Sequence, residues 1–127
     1  MYIKKGVEQW NYPWTLNSID GLYVIERDEA IIGTFSIMNL SDNMTFPLVN
    51  KKDLYLHTIA IHPSYQGNNL GLNIIQCVNN ISETLGVDIY LDCWNGNSNL
   101  KRFYSNAGLD ICGVFPEDDY EICIFKF

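Results

Sequence analysis

The feature that most restricts the fold is one strand-helix-strand unit in the middle of the chain. An apolar run, LYLHTIAI (54–61), passes through HPSYQGNNLG into a helical pattern, which leads to a second apolar run, VDIYLDCW (87–94). From about Leu70 to Leu85, Leu70, Ile74, Val78 and Ile81 recur at steps of three or four, so one stripe of the helix is apolar and faces a sheet. Gly86 ends the pattern. Two strands joined by a helix lie parallel, with a right-handed crossover. The run 87–94 is apolar apart from Asp88 and Asp92, which predicts a central strand covered on both faces.

The flanks read as antiparallel additions. GLYVIERDEAIIGTFSIM is β-favouring on both sides of a turn at RDE (27–29), and SDNMTFPLVNKKD (41–53) is a polar loop containing Pro47. SNLKRFYSNAG predicts a short helix with Leu100, Phe103 and Ala107 inward and Gly108 as its stop. LDICGVF, a turn at PEDD and YEICIFKF form a closing hairpin. The expected order is β-β-β-α-β-α-β-β: one mixed α/β sheet (α+β in its antiparallel parts) and one domain over 1–127, a length that supports one core.

Composition narrows the function. With 47% hydrophobic and 18% charged residues the chain is of globular type. No apolar run reaches the roughly 18 residues of a membrane span, and MYIKKGVEQWNYPW lacks the apolar core of a signal peptide. No membrane and a cytoplasmic location are expected. A net charge of -7 argues against nucleic acid, which needs clustered Lys and Arg, and slightly favours a cationic or neutral substrate. Cys77, Cys93, Cys112 and Cys123 show no C-x-x-C spacing and lie in apolar segments, so they read as free, reduced thiols. His57 and His62 lack companions for a zinc site, and no metal is expected.

The junction before the helix admits two readings. Amides in the first helical turn have no partner within the helix, and the helix dipole favours an anion there. Gly67 and Gly71 would permit close approach, and Asn68 and Asn69 tolerate positive φ. The same residues also make an ordinary strand-to-helix turn. The stretch is neither a dinucleotide fingerprint nor a P-loop, since G-x-G-x-x-G and G-K-[ST] are absent.

Two longer segments carry a resemblance. LHTIAIHPSYQGNNLGLNII resembles the acetyl-CoA-binding segment of the GCN5-related N-acetyltransferase (GNAT) superfamily, with signature Q/R-x-x-G-x-G/A. Gln66 holds its first position and Gly71 its last, while Asn69 stands where the family has its middle glycine. YLDCWNGNSNLKRFYSNAGL is similar to the family's strand-loop-helix pattern, with Asn97, Leu100, Phe103, Tyr104, Gly108 and Leu109 at the matching positions.

The resemblance implies a GNAT-like acyl-CoA N-acyltransferase fold and acetyl transfer from acetyl-CoA (coenzyme A) to a small-molecule or peptide amine. It implies that the cofactor lies where strands 54–61 and 87–93 part, on backbone groups of Ile59, Ala60 and Ile61. Its diphosphate would lie on Gln66, Gly67, Asn68, Asn69, Leu70 and Gly71. Tyr104 would protonate the departing thiolate, and a phenol of ordinary pKa near 10 suits that task; by the residues alone, packing on the sheet beside Phe103 is the favoured reading. Asn97 would contact the pantetheine or cap the helix. His57 is the candidate base, imidazole being suited to proton exchange near neutrality, with Glu26 or water as alternatives. Trp10, Tyr12 and Trp14 in QWNYPW read as core packing or as an acceptor pocket.

The family opens with a strand and a helix, whereas GVEQW, which resembles its second helix, comes almost at Met1. An N-terminally shortened fold is therefore expected, by roughly 30 residues, about one strand and one helix with their turns. That would leave a bare edge beside Tyr23–Arg27, and a homodimer is expected to cover it. The shortening and Asn69 keep open a rival reading, a catalytically silent coenzyme A-binding or interaction module.

Overall fold

The parallel pair required by the central unit is present, with strands added antiparallel on both sides. A computed structural model describes residues 2–5, 21–39, 53–67 and 69–127. In chain order the elements are β1 (Tyr2–Lys5), β2 (Gly21–Arg27), β3 (Ala30–Asn39), β4 (Leu54–Ile61), a 3-10 turn (Pro63–Tyr65), α1 (Leu70–Leu85), β5 (Ile89–Trp94), α2 (Ser98–Asn106), β6 (Asp110–Glu117) and β7 (Tyr120–Lys126). The described strands make one sheet in the order β1-β2-β3-β4-β5-β7-β6. Only β4 and β5 pair parallel; β1–β2, β2–β3, β3–β4, β5–β7 and β6–β7 are antiparallel.

Helix α1 has the predicted span. Asn69 and Gly86 bound it in the left-handed region, at φ 61° and 65°, and the Gly86 N–H closes the last turn on the Ser82 carbonyl. It buries Leu70, Ile74, Val78 and Ile81, together with Ile75. Burial of five such side chains contributes on the order of 10 kcal/mol. They share a core with Phe35, Leu54, Leu56, Leu91 and Phe125. A smaller cluster of Tyr55, Tyr90 and Ile124 lies on the opposite sheet face, as strand alternation requires.

Four expectations change. First, Tyr2–Lys5 is a strand, paired with β2 from Tyr2↔Glu26 to Lys5↔Tyr23. The edge beside Tyr23–Arg27 is therefore covered, and the argument for a homodimer drawn from a bare edge falls. Residues 6–20, with Trp10, Tyr12 and Trp14, and residues 40–52, with Pro47, lie outside the described residues. Second, β6 continues through Pro116 and Glu117, so the turn is only Asp118 and Asp119; Pro116 is tolerated because β6 is an edge strand. Third, Leu100 and Phe103 are 38% and 37% exposed, and Tyr104 at 7% is the residue α2 buries. Fourth, β5 starts at Ile89, with Val87 buried just before it. The first hairpin turn lies within RDE, with Asp28 and Glu29 at φ 52° and 67°, the handedness a two-residue hairpin needs.

Candidate active site

β4 and β5 share two residue pairs, Leu54↔Ile89 and Tyr55↔Tyr90. Beyond them β4 runs on from Leu56 to Ile61 without β5 beside it, while β3 stays paired on its other side. The register slips between Ser36↔His57 and Thr34↔Ala60, which leaves an extra residue in β4, a bulge that bends the strand and raises its twist. The result is a V-shaped gap whose β4 wall contains Ile59, Ala60 and Ile61.

The junction turn closes one end of that gap. The Gln66 amide Nε2 donates to the Ile61 carbonyl at 3.3 Å, so this side chain holds the turn onto β4. His62 Nδ1 accepts from the Ser64 N–H at 3.1 Å, and the His62 N–H donates to the Ile32 carbonyl at 2.8 Å. His62 is therefore a structural residue of the turn. Gly67 sits at φ 86°. Asn69, at φ 61°, takes the left-handed geometry that a glycine would, and makes no side-chain cap. Asn68 lies outside the described residues.

In α1 the Asn73 N–H bonds to the Asn69 carbonyl at 3.0 Å. The amides of Leu70, Gly71 and Leu72 precede that first helical bond and point out of the helix end. They border a cavity of about 230 Å³ between the turn, Ile61, Tyr65 and Phe103. A Cβ at Gly71 would stand 3.4 Å from Phe103 Cζ and 3.7 Å from Ile61 Cδ1, so the missing side chain keeps this face open. Free amides, a positive dipole end and a cavity are together an arrangement that can hold an anion.

Tyr104 is buried in the α1-side core, its ring 5.3 Å from that of Phe125 and 5.6 Å from that of Phe103. Its hydroxyl has no hydrogen bond among the described residues. Burial first, and then Cys93 and Asp92, push its pKa up to about 12. Asn97 caps α2: its Oδ1 accepts from the Leu100 N–H at 3.1 Å, so capping alone accounts for an Asn here. His57 lies opposite Ser36 and alternates with Leu54 and Leu56, which point to the α1 side. It therefore faces away from Tyr104, and the sheet separates the two candidate catalytic side chains.

The geometry adds two residues. Phe103, assigned to the core by sequence, walls the anion cradle instead. Asp92 is a half-buried carboxylate on β5 whose pKa is raised by burial and then by Glu117. The visible signal for it is one acid inside the apolar run YLDCW. All four cysteines are free; Cys93 and Cys123 are buried, and burial pushes the half-buried Cys77 thiol up to about 11. No described helix is long and apolar enough to cross a membrane.

Residues 2–109 match a family model described as the acetyltransferase (GNAT) family. No curated protein matches the sequence. An aminoglycoside 6'-N-acetyltransferase complexed with coenzyme A shares the fold at TM-score 0.65 and 14% identity, over 88% of this chain and 74% of its own. A GNAT family acetyltransferase from Elizabethkingia anophelis with acetyl-CoA bound does so at TM-score 0.65 and 12% identity, over 88% and 78%. An acetyltransferase of this family from Listeria monocytogenes reaches TM-score 0.65 and 21% identity over 84% of this chain, which spans 64% of that protein.

Proposed function

Since the chain belongs to the GNAT acetyltransferase family, we propose that it transfers the acetyl group of acetyl-CoA to a primary amine of a small molecule or peptide. The observation that carries this reading is the V-shaped gap with a helix N-terminus at its mouth. An anion cradle and an unpaired strand wall, in line, fit a ligand with a diphosphate at one end and an amide-bearing arm at the other. Two similar structures hold coenzyme A or acetyl-CoA.

When bound, acetyl-CoA supplies an acyl carbon activated as a thioester. The Leu70, Gly71 and Leu72 amides hold its diphosphate, and Gly67 and Asn69 set the turn that exposes them. Backbone groups of Ile59, Ala60 and Ile61 hold the pantetheine arm along β4. A backbone donor aimed at the thioester oxygen stabilises charge that develops there, and fixing both reactants supplies much of the remaining rate. Tyr104 gives its proton to the departing sulfur; held at about 12, the phenol stays protonated throughout the working range. Gln66 and Asn97 position the turn and α2.

The two features behind a silent-module reading are altered: β1 supplies an edge strand, and Asn69 adopts the glycine-like geometry. Calorimetric titration with acetyl-CoA, followed by CoA release in the presence of a primary-amine panel, tests the proposal. Saturable binding and amine-dependent CoA release are expected. Binding without release from any amine refutes the enzyme, and no binding refutes the donor.

A further inference from the structure

The transfer described above lacks a base, and β5 presents one. Ile89, Leu91 and Cys93 point into the α1-side core, so Tyr90, Asp92 and Trp94 point to the opposite face. Tyr55↔Tyr90 is the last pair joining β4 to β5. Asp92 is therefore the first outward residue of β5 past the point where the strands part, and it borders the gap. On its other side lies Ile124 of β7. Tyr104 occupies the opposite face of the same strand, close enough for the Asp92 charge to raise its phenol. The gap thus has an acid on one face and a carboxylate on the other.

Asp92 has no hydrogen bond or ion pair among the described residues. The charge that adds to the effect of burial on it is another carboxylate, Glu117. A half-buried acid without a cation or donor weakens the fold, and such groups concentrate where chemistry needs them. His57 holds the corresponding outward place on β4, but it already has an interaction of its own. Trp94, on the same face as Asp92 and 61% exposed, offers a ring that attracts a cationic amine.

We propose that Asp92 is the general base of the transfer, taking the proton of a cationic acceptor amine that approaches on the sheet face opposite Tyr104. This rests on the acetyltransferase reading. Asp92 removes one proton from the ammonium nitrogen, whose freed lone pair forms the C–N bond to the acetyl carbon as the C–S bond breaks. Tyr104 gives its proton to the sulfur. The second proton shed by the nitrogen, as it becomes an amide, returns through water to Tyr104, and Asp92 releases its own to bulk water. One proton is released per turnover.

Burial and Glu117 raise the Asp92 pKa, so activity falls as pH drops through that raised value. Other titratable groups on this face include Tyr120 on β7 and His57 across the gap; Cys93 and Tyr104 act on Asp92 from the opposite face.

The test compares wild type with Asp92→Asn, using 2-phenylethylamine and aniline; aniline is neutral at assay pH and has no ammonium proton for Asp92 to remove. With 2-phenylethylamine, kcat should fall by about 100-fold, and the acidic limb set by Asp92 should give way to a rise that follows deprotonation of the amine itself. Aniline should lose less than about 3-fold, since it bypasses the base. Asp92→Glu should recover part of the rate. Independently of activity, the Asp92 carboxyl carbon resonance, assigned by its loss in Asp92→Asn, should titrate above the usual aspartate range. Equal loss with both amines, an unchanged kcat, or an acidic limb removed by His57→Gln and kept by Asp92→Asn overturns the assignment while leaving the acetyltransferase reading intact. A wild type inert towards both these probes and the whole amine panel overturns both.

Discussion

Gly71→Ala separates two quantities that normally change together. Gly71 is the second residue of α1, and a Cβ there would meet Phe103 Cζ at 3.4 Å, Ile61 Cδ1 at 3.7 Å and Phe103 Cε1 at 3.9 Å. All are ordinary van der Waals separations, so the methyl needs no displacement. Replacing a helical glycine by alanine stabilises by about 0.5–1 kcal/mol. The same methyl stands at the cavity wall that the first-turn amides border. Lifting the diphosphate off one amide removes a charged hydrogen bond of about 1.5–3 kcal/mol, or roughly 10- to 150-fold in Kd. Chemical denaturation should show a more stable protein, and calorimetry with acetyl-CoA a weaker complex. A stabilised variant with wild-type affinity would show that the diphosphate does not rest on this turn.

Tyr104→Phe should lower kcat by about 100-fold and leave the Kd for acetyl-CoA within about 2-fold, because the ring and its contacts with Phe125 remain. With the phenol held at about 12, wild-type kcat should show no decline attributable to this group as pH rises towards 10; an earlier decline abolished by Tyr104→Phe would contradict its environment. Asn97→Ala removes the cap on Leu100 and should cost about 1 kcal/mol in denaturation, with Kd unchanged. Weaker cofactor binding at unchanged stability would make Asn97 a ligand contact instead.

Local signals located most of the fold. The span of α1 follows from its apolar step and from Gly86, and the αL position of Asn69 from the conformational tolerance of asparagine. Elements that depend on distant partners were hidden. YIKK has no alternation to mark it, and it becomes a strand only because β2 offers an open ladder. A nine-residue helix gives too few turns to define its buried face, so the inward positions expected for Leu100 and Phe103 are not the ones observed. Asp92 could be seen as an oddity in YLDCW, but its place beside the gap follows only from the register of Tyr55 with Tyr90. The anion cradle was legible because its parts are consecutive in the chain; the base was not, because its surroundings come from three strands.

The two paired rows between β4 and β5 also have a mechanical meaning. Backbone bonding ties the leaf formed by β1–β4 to the leaf formed by β5–β7 only along that short seam. Side chains of α1 such as Ile74 and Val78 share one buried core with Leu54 and Leu56 of the first leaf and Ile89 and Leu91 of the second, and that shared packing sets how far the leaves stand apart. The width of the cleft is thus fixed by close-packed hydrocarbon rather than by the directional bonds that hold each leaf together.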